Sequence, residues 1–241
     1  MNAALPLAGR LALVTGASRG IGAAVAKRLA SSGARVAILA RNDEALTALA
    51  QELGGGAVPV ICDVRDTAAL AQALDALPGR LGGAPNIVVN NAGAFFFAPA
   101  LETSVDAFAE TMAVNLTAPF AVVRALLPAM SASREGHVVT IGSIADRMAF
   151  SGNAAYAASK YGLRALHQVL RSELKASGVR VSLVSPGPVD TSLWDAIDIQ
   201  GQPGFTPRAE MLSAESVAEA VHWVVTAPAG VNVDELRLSR S

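Results

Sequence analysis

Apolar positions along the chain fall into two alternating patterns. Short runs rich in β-branched residues stand at 11–15, 36–40, 58–62, 87–90, 138–141, 179–184 and 236–238. Between them lie longer, alanine-rich stretches with helical spacing at 21–31, 43–53, 67–76, 105–130, 155–177 and 214–226. A short continuous apolar run is what a strand covered on both faces requires, and the helical stretches supply the crossovers that parallel strands need. The pattern predicts an α/β fold: a doubly wound, seven-stranded parallel sheet with helices on both faces and right-handed connections.

There is no internal repeat and no linker, so a single domain over 1–241 accounts for the chain. Gly54-Gly55-Gly56 and Gly82-Gly83 fit helix-to-strand turns. The one weakly patterned stretch, 192–211, mixes Gly201, Pro203, Gly204 and Pro207 with Leu193, Trp194, Ile197, Ile199 and Phe205. It reads as a mobile lid with an apolar underside, or as a surface loop with incidental apolar residues.

Composition narrows the chemistry. Hydrophobic residues make up 52% and charged residues 16%, enough for a large core and too apolar for disorder. With 19 basic against 20 acidic side chains the net charge is −1, which offers no footprint for nucleic acid. Cys62 is alone and the three histidines, His137, His167 and His222, lie far apart, so neither a disulfide nor a metal site is implied. Residues 1–10 lack a basic stretch leading into an apolar run, and Arg124 and Pro128 interrupt the most apolar later region. The expectation is a cytoplasmic protein without membrane or nucleic-acid partners.

Directly after the first strand comes Thr15-Gly16-Ala17-Ser18-Arg19-Gly20-Ile21-Gly22, then a helix. Glycines at 16, 20 and 22 permit a tight turn, close approach of a diphosphate to the backbone, and close helix–strand packing, while the helix amino terminus offers free N–H groups to an anion. This is the Rossmann arrangement for a dinucleotide. At the end of the second strand stands Arg41 where an acid would select a free 2′-hydroxyl; its planar guanidinium suits a 2′-phosphate. Asp43 belongs to the start of the next helix, where a carboxylate favours the helix dipole.

The spacing Gly-x3-Gly-x-Gly is where the chain begins to resemble the short-chain dehydrogenase/reductase family. The match continues through Asn90-Asn91-Ala92-Gly93, Asn115, Ser143, Tyr156-Ala157-Ala158-Ser159-Lys160 and Pro186-Gly187-Pro188-Val189-Asp190-Thr191. The resemblance implies an NADP(H)-dependent oxidoreductase that passes a hydride between the nicotinamide and a carbonyl or secondary alcohol. It implies Tyr156 as proton donor, Ser143 as hydrogen-bond partner of the substrate oxygen, Lys160 on the nicotinamide ribose and lowering the Tyr156 pKa, and Asn115 holding a water of a proton relay. It further implies Arg19 beside Arg41 at the 2′-phosphate, Gly16, Ser18, Gly20, Ile21 and Gly22 around the diphosphate, and Asp63 and Val64 at the adenine. Asn91, Ala92 and Gly93 would line the adenine-side ribose; Pro186, Gly187, Val189 and Thr191 would embrace the carboxamide. Asp63 reads equally well as a helix cap.

Lys160 lies four residues beyond Tyr156, one helical turn, so both can face one cleft. Ala94, Phe95, Phe96, residues 144–150 and Trp194 would border a small, largely apolar substrate, or else complete the core or a subunit contact. Reduction of a 3-oxoacyl group on a carrier protein is the runner-up: Arg134 falls where such reductases carry a basic residue, but Ser177 occupies the second basic position and the tail Gly230-Val231-Asn232-Val233-Asp234-Glu235-Leu236 departs from theirs. A non-catalytic NADP(H) sensor or scaffold is the reading from another class. The family resemblance implies a homodimer or homotetramer.

Overall fold

The computed structural model describes residues 5–195 and 205–241. Seven parallel strands, β1 (Leu11–Thr15), β2 (Arg35–Ala40), β3 (Val58–Ile61), β4 (Ile87–Asn90), β5 (Gly136–Ile141), β6 (Val179–Pro186) and β7 (Glu235–Leu238), form one sheet in the order β3-β2-β1-β4-β5-β6-β7. The helices are α1 (Gly20–Ser31), α2 (Asp43–Leu53), α3 (Thr67–Leu81), α4 (Val105–Met112), α5 (Ala118–Ser133), α6 (Ala154–Glu173) and α7 (Ala214–Val225).

Successive strand residues serve opposite faces, as the period of two demands. Ala12, Val14, Val36 and Ile38 pack under α1, α2 and α7, whereas Leu13, Ala37 and Leu39 pack under α3, α5 and α6. Both layers are apolar, which is why the strands read as unbroken hydrophobic runs. The chain winds outward from β1 to β3, then returns to place β4 on the other side of β1. Where the order reverses, the turns after β1 and β4 leave in opposite directions and open a crevice at the carboxyl ends of the strands.

Polar side chains cap four of the α-helices. Asn42 Oδ1 accepts from the Ala45 N–H at 2.8 Å, Asp66 accepts from Ala68 and Ala69, Ser104 from Ala107 and Ser213 from Ser216. Asp43 sits in the first turn of α2, as expected. Asp63 is no cap: that place belongs to Asp66, and Asp63 turns to Arg65 and Arg41 instead.

Three boundaries differ from the pattern. Helix α3 runs through Pro78 to Leu81, because Leu77 and Leu81 are both fully buried and Gly82, in the left-handed region, closes the helix on the Pro78 carbonyl. Helix α6 stops at Glu173 rather than 177. The stretch read as one helix over 105–130 is α4 and α5 joined by a π-helical turn, Ala113–Thr117. Together they form a run, Val105–Ser133, that is long and apolar enough by length and composition to cross a membrane. Its buried side, Val122, Val123, Leu126 and Met130, packs against α3 and the sheet, while Arg124 is exposed.

Leu77 occupies the centre of the α3 contact. Leu77→Ala is expected to cost about 2–5 kcal/mol of unfolding free energy, measured by urea titration; a loss below 1 kcal/mol would mean that α3 does not anchor this layer.

Candidate active site

The crevice at the sheet reversal widens into a cleft of about 900 Å³, lined from the glycine turn at one end to Trp194 and Phe205 at the other. At the first end, Gly16 and Gly20 adopt positive φ, and a Cβ on Gly16 would lie 2.7 Å from Ala92 Cα. A Cβ on Gly22 would overlap the Gly16 carbonyl, so α1 packs on β1 only with glycine there. Arg19 stands at the start of α1 without a side-chain cap, which leaves the helix's first N–H groups facing the cleft beside Ser18, Gly20 and Ile21. That cradle fits an anionic diphosphate.

Arg19 and Arg41 both line this end of the cleft and both are exposed. Arg41 Nη1 is 3.7 Å from Asp63 Oδ2, and Arg65 grips the same carboxylate while also pairing with Glu110. The Arg65 hydrogen bond, with Arg41 adding its charge, holds the Asp63 carboxyl below the usual carboxylate range. Val64 is buried against the core layer and forms part of the wall. Arg65 and Glu110 carried no motif and were missed; a pairing of residues 45 apart has no local signal.

Asn91, Ala92 and Gly93 line the middle of the cleft. The Asn91 amide nevertheless donates to the carbonyls of Thr15, at 2.9 Å, and Gly16, at 3.1 Å, and Thr15 Oγ1 accepts from the N–H groups of Asn91 and Ala92, each at 3.0 Å. Thr15 and Asn91 thereby bolt the end of β4 to the end of β1. Thr15 is a site residue that the pattern registered only as the end of a strand.

Ser143 follows β5 and caps a short 3-10 turn, Ile144–Asp146, its Oγ accepting from the Ala145 N–H at 3.1 Å. Tyr156 lies in the first turn of α6 and Lys160 one turn on, which brings both to the floor of the cleft with Ser143. Lys160 is buried; Nζ donates to the Ile141 carbonyl at 3.0 Å and lies 5.6 Å from the Tyr156 ring centre. Burial pushes the Lys160 pKa down to about 8. For Tyr156, burial pushes the phenol up, a hydrogen bond with Ser143 opposes this, and the charge of Asp146 adds to the rise.

Asn115 sits in the π-helical turn, fully buried. Its Oδ1 accepts from the Ala94 N–H at 2.8 Å, and its Nδ2 donates to the Ala94 carbonyl and to Ser159 Oγ. The side chain thus fixes the segment leaving β4 to α6. A π turn shifts a helix by one residue, a device common at functional sites.

Pro186, Gly187, Val189 and Thr191 line the wall above. The Val189 carbonyl accepts the Trp194 indole N–H at 2.9 Å, and Thr191 covers Gly20, where an added Cβ would come within 3.1 Å of its methyl group. Of the stretch read as a lid, residues 196–204, including Ile197, Ile199, Gly201, Pro203 and Gly204, lie outside the described residues. Its flanks are tied together: Arg208 pairs with Asp190, at 3.2 Å, and with Asp195. The far wall is aromatic. Phe95 meets Tyr156 edge-on with centroids 4.8 Å apart and Trp194 at 5.1 Å, while Phe97 meets Phe205 at 5.0 Å. Phe97, not Phe96, lines the cleft, since alternate residues of an extended segment face opposite ways. Ile144, Ala145 and Phe150 complete this wall, whereas Asp146 turns inward and Met148 outward.

The remaining candidates stand elsewhere. His137 is buried with Nε2 2.8 Å from Ser182 Oγ, His167 is buried on α6, and His222 contacts Arg28; none lines the cleft. Cys62 packs as a small apolar side chain. Arg134 ends α5 in the left-handed region and donates to the Ala176 carbonyl. It precedes β5, so it lies at the sheet edge opposite the cleft.

The family model for short chain dehydrogenases matches residues 10–201. An NADP-dependent 3-hydroxy acid dehydrogenase of Salmonella typhi is 33% identical over 233 residues, covering 95% of this chain and 94% of its own. A D-threitol dehydrogenase of Mycolicibacterium smegmatis is 37% identical, covering 91% and 87%. Among solved structures, a metagenomic short-chain oxidoreductase in complex with NADP superposes with a TM-score of 0.84 at 34% identity, covering 98% of this chain and 99% of that one. Fold, ordered motifs and relatives agree: the chain belongs to the short-chain dehydrogenase/reductase family and is an oxidoreductase.

Proposed function

We propose that this protein is an NADP(H)-dependent oxidoreductase that interconverts a carbonyl and a secondary alcohol on a small, largely apolar substrate. The observation that carries the reading is the convergence of Ser143, Tyr156 and Lys160 on the floor of one cleft, between a basic diphosphate cradle and an aromatic wall. NADPH bound along Gly16–Gly22, Arg19 and Arg41 would supply the hydride. Ser143 donates a hydrogen bond to the substrate oxygen, which develops negative charge as the carbon is reduced. Tyr156 Oη gives that oxygen its proton. A phenol held protonated by burial is suited to this acid role at neutral pH. Lys160 faces the tyrosine as the group through which the proton is restored, and Asn115 fixes the backbone at Ala94 that borders the reacting centre.

The character of the substrate follows from the aromatic end. Among the described residues, the wall formed by Phe95, Phe97, Ile144, Phe150, Trp194 and Phe205 carries no cation, and residues 196–204 contain no Lys, Arg or His. A carboxylate such as that of a hydroxy acid would have no partner there, whereas an apolar or aryl group would. The stretch 192–211 serves as the lid over that group. An acyl-carrier substrate gains no support, since Arg134 stands at the opposite edge of the sheet.

The working form we propose is a homodimer or homotetramer. It is supported by exposed Phe108 and Phe120 on the α4–α5 run and Tyr161 and Val169 on α6, apolar side chains that a second copy would cover.

Initial rates of NADPH oxidation over aryl ketones, vicinal diketones, aldehydes, 3-oxo acids and a 3-oxoacyl thioester test the assignment. Uncharged aryl or alkyl carbonyls should lead, and Tyr156→Phe should lose activity by about 10²- to 10⁴-fold while still binding NADPH. NADPH binding without turnover by the wild type would favour a sensor. Arg41→Ala is expected to raise KM for NADPH by roughly 10- to 100-fold and leave NADH little changed; equal effects on both cofactors would refute the 2′-phosphate role. Light scattering should return a dimer or tetramer, and a monomer would overturn that part.

A further inference from the structure

The turn that carries Ser143 also carries a buried acid that the reaction scheme does not use. Asp146 closes the turn, its N–H donating to the Ser143 carbonyl at 2.9 Å, and its side chain is fully buried. One carboxylate oxygen accepts the Ser185 hydroxyl from β6, and the other pairs with Arg147. A Cβ on Gly142 would lie 2.8 Å from Asp146 Oδ2 and 2.6 Å from Ser185 Oγ. The acid is therefore packed directly beneath the residue that precedes Ser143. Taking a carboxylate out of water costs several kcal/mol unless its charge has a use or a full set of partners.

Lys160 has the complementary problem. Its ammonium is buried, its hydrogen bond goes to the Ile141 carbonyl, and no acid pairs with it among the described residues. The Ile144–Asp146 turn packs directly on α6, and the Asp146 charge raises both the Lys160 and the Tyr156 pKa. The groups facing Asp146 are few: Arg147 from its own turn, Ser185 from β6, and Lys160 and Tyr156 from α6. Arg147 reaches on to Glu235 of β7, which stands 3.5 Å from Arg164 of α6. The two arginines and Glu235 thus link the acid to α6 one turn beyond Lys160.

We propose that Asp146 is a positioning residue of the reaction centre, pinning the Ser143 turn to β6 and supplying the buried negative charge that balances the Lys160 ammonium. The proposal rests on the reading of Ser143, Tyr156 and Lys160 as the reacting group. A negative charge stabilises the protonated form of both neighbours, the ammonium over the amine and the phenol over the phenolate. Removing it makes both release their protons at lower pH, so the sign of the effect is the same whichever group limits the rate.

The test is the pH profile of kcat/KM for NADPH-driven carbonyl reduction from neutral to alkaline pH, in wild type, Asp146→Asn and Arg147→Gln, with Tyr156→Phe as control. In Asp146→Asn the alkaline limb should fall by roughly half to one pH unit, with NADPH affinity measured by fluorescence unchanged. Arg147→Gln removes the cation that offsets the acid and should move the limb upward, and it carries the test alone if Asp146→Asn does not fold. A merely structural role would lower the rate without moving either limb. Limbs at the wild-type position in the folded variants, with Tyr156→Phe inactive, overturn the proposal and leave the reaction reading intact; an active Tyr156→Phe overturns both.

Discussion

Everything functional in this protein depends on the pairing of β1 with β4 and on how their ends are held. The sheet reverses direction between these strands, and the reversal leaves a crevice that no helix covers. Left to itself such a crevice would be two loose loops. Thr15 and Asn91 prevent that with four hydrogen bonds between the strand ends, and Gly16 and Gly22 allow the backbones to close to distances that no side chain would tolerate. The glycine turn and the start of α1 are held to the end of β4 by this bolt.

The same constraint sets the electrostatics of the reaction centre. The carboxyl end of β5 lies next to β4, and α6 packs beside it, so Ser143, Tyr156 and Lys160 meet in an interior where charge is costly. Burial then becomes the largest influence on both titrating groups, raising the phenol and lowering the ammonium toward neutrality. The chain answers with backbone and side-chain partners: the Ile141 carbonyl for Lys160, and Ser143 for Tyr156. Asn115 contributes by position, its π-helical turn placing one amide against both the Ala94 backbone and Ser159.

One cleft joins two opposed environments. At the glycine turn it is polar and basic, with exposed Arg19 and Arg41; at the Trp194 and Phe205 end it is aromatic and free of cations among the described residues. The Trp194 indole bonded to the Val189 carbonyl and the Thr191 methyl lying over Gly20 tie the aromatic end to the wall and to the glycine turn.

The linear pattern was sufficient for the strand–helix alternation, the glycine turn and the family to which the ordered motifs belong. Each of these is written in local spacing: a period of two or 3.6, a glycine where positive φ is needed, a tyrosine and lysine one turn apart. What local spacing does not encode is which distant groups meet in the interior. The bond from Thr15 to the turn after β4, the inward rotation of Asp146 onto Ser185, the choice of Phe97 over Phe96, and the π turn at Asn115 arise only when strands and helices pack. So does the direction of the Tyr156 shift, because desolvation is a property of the assembled interior, whereas the lysine one turn away is all that the sequence displays.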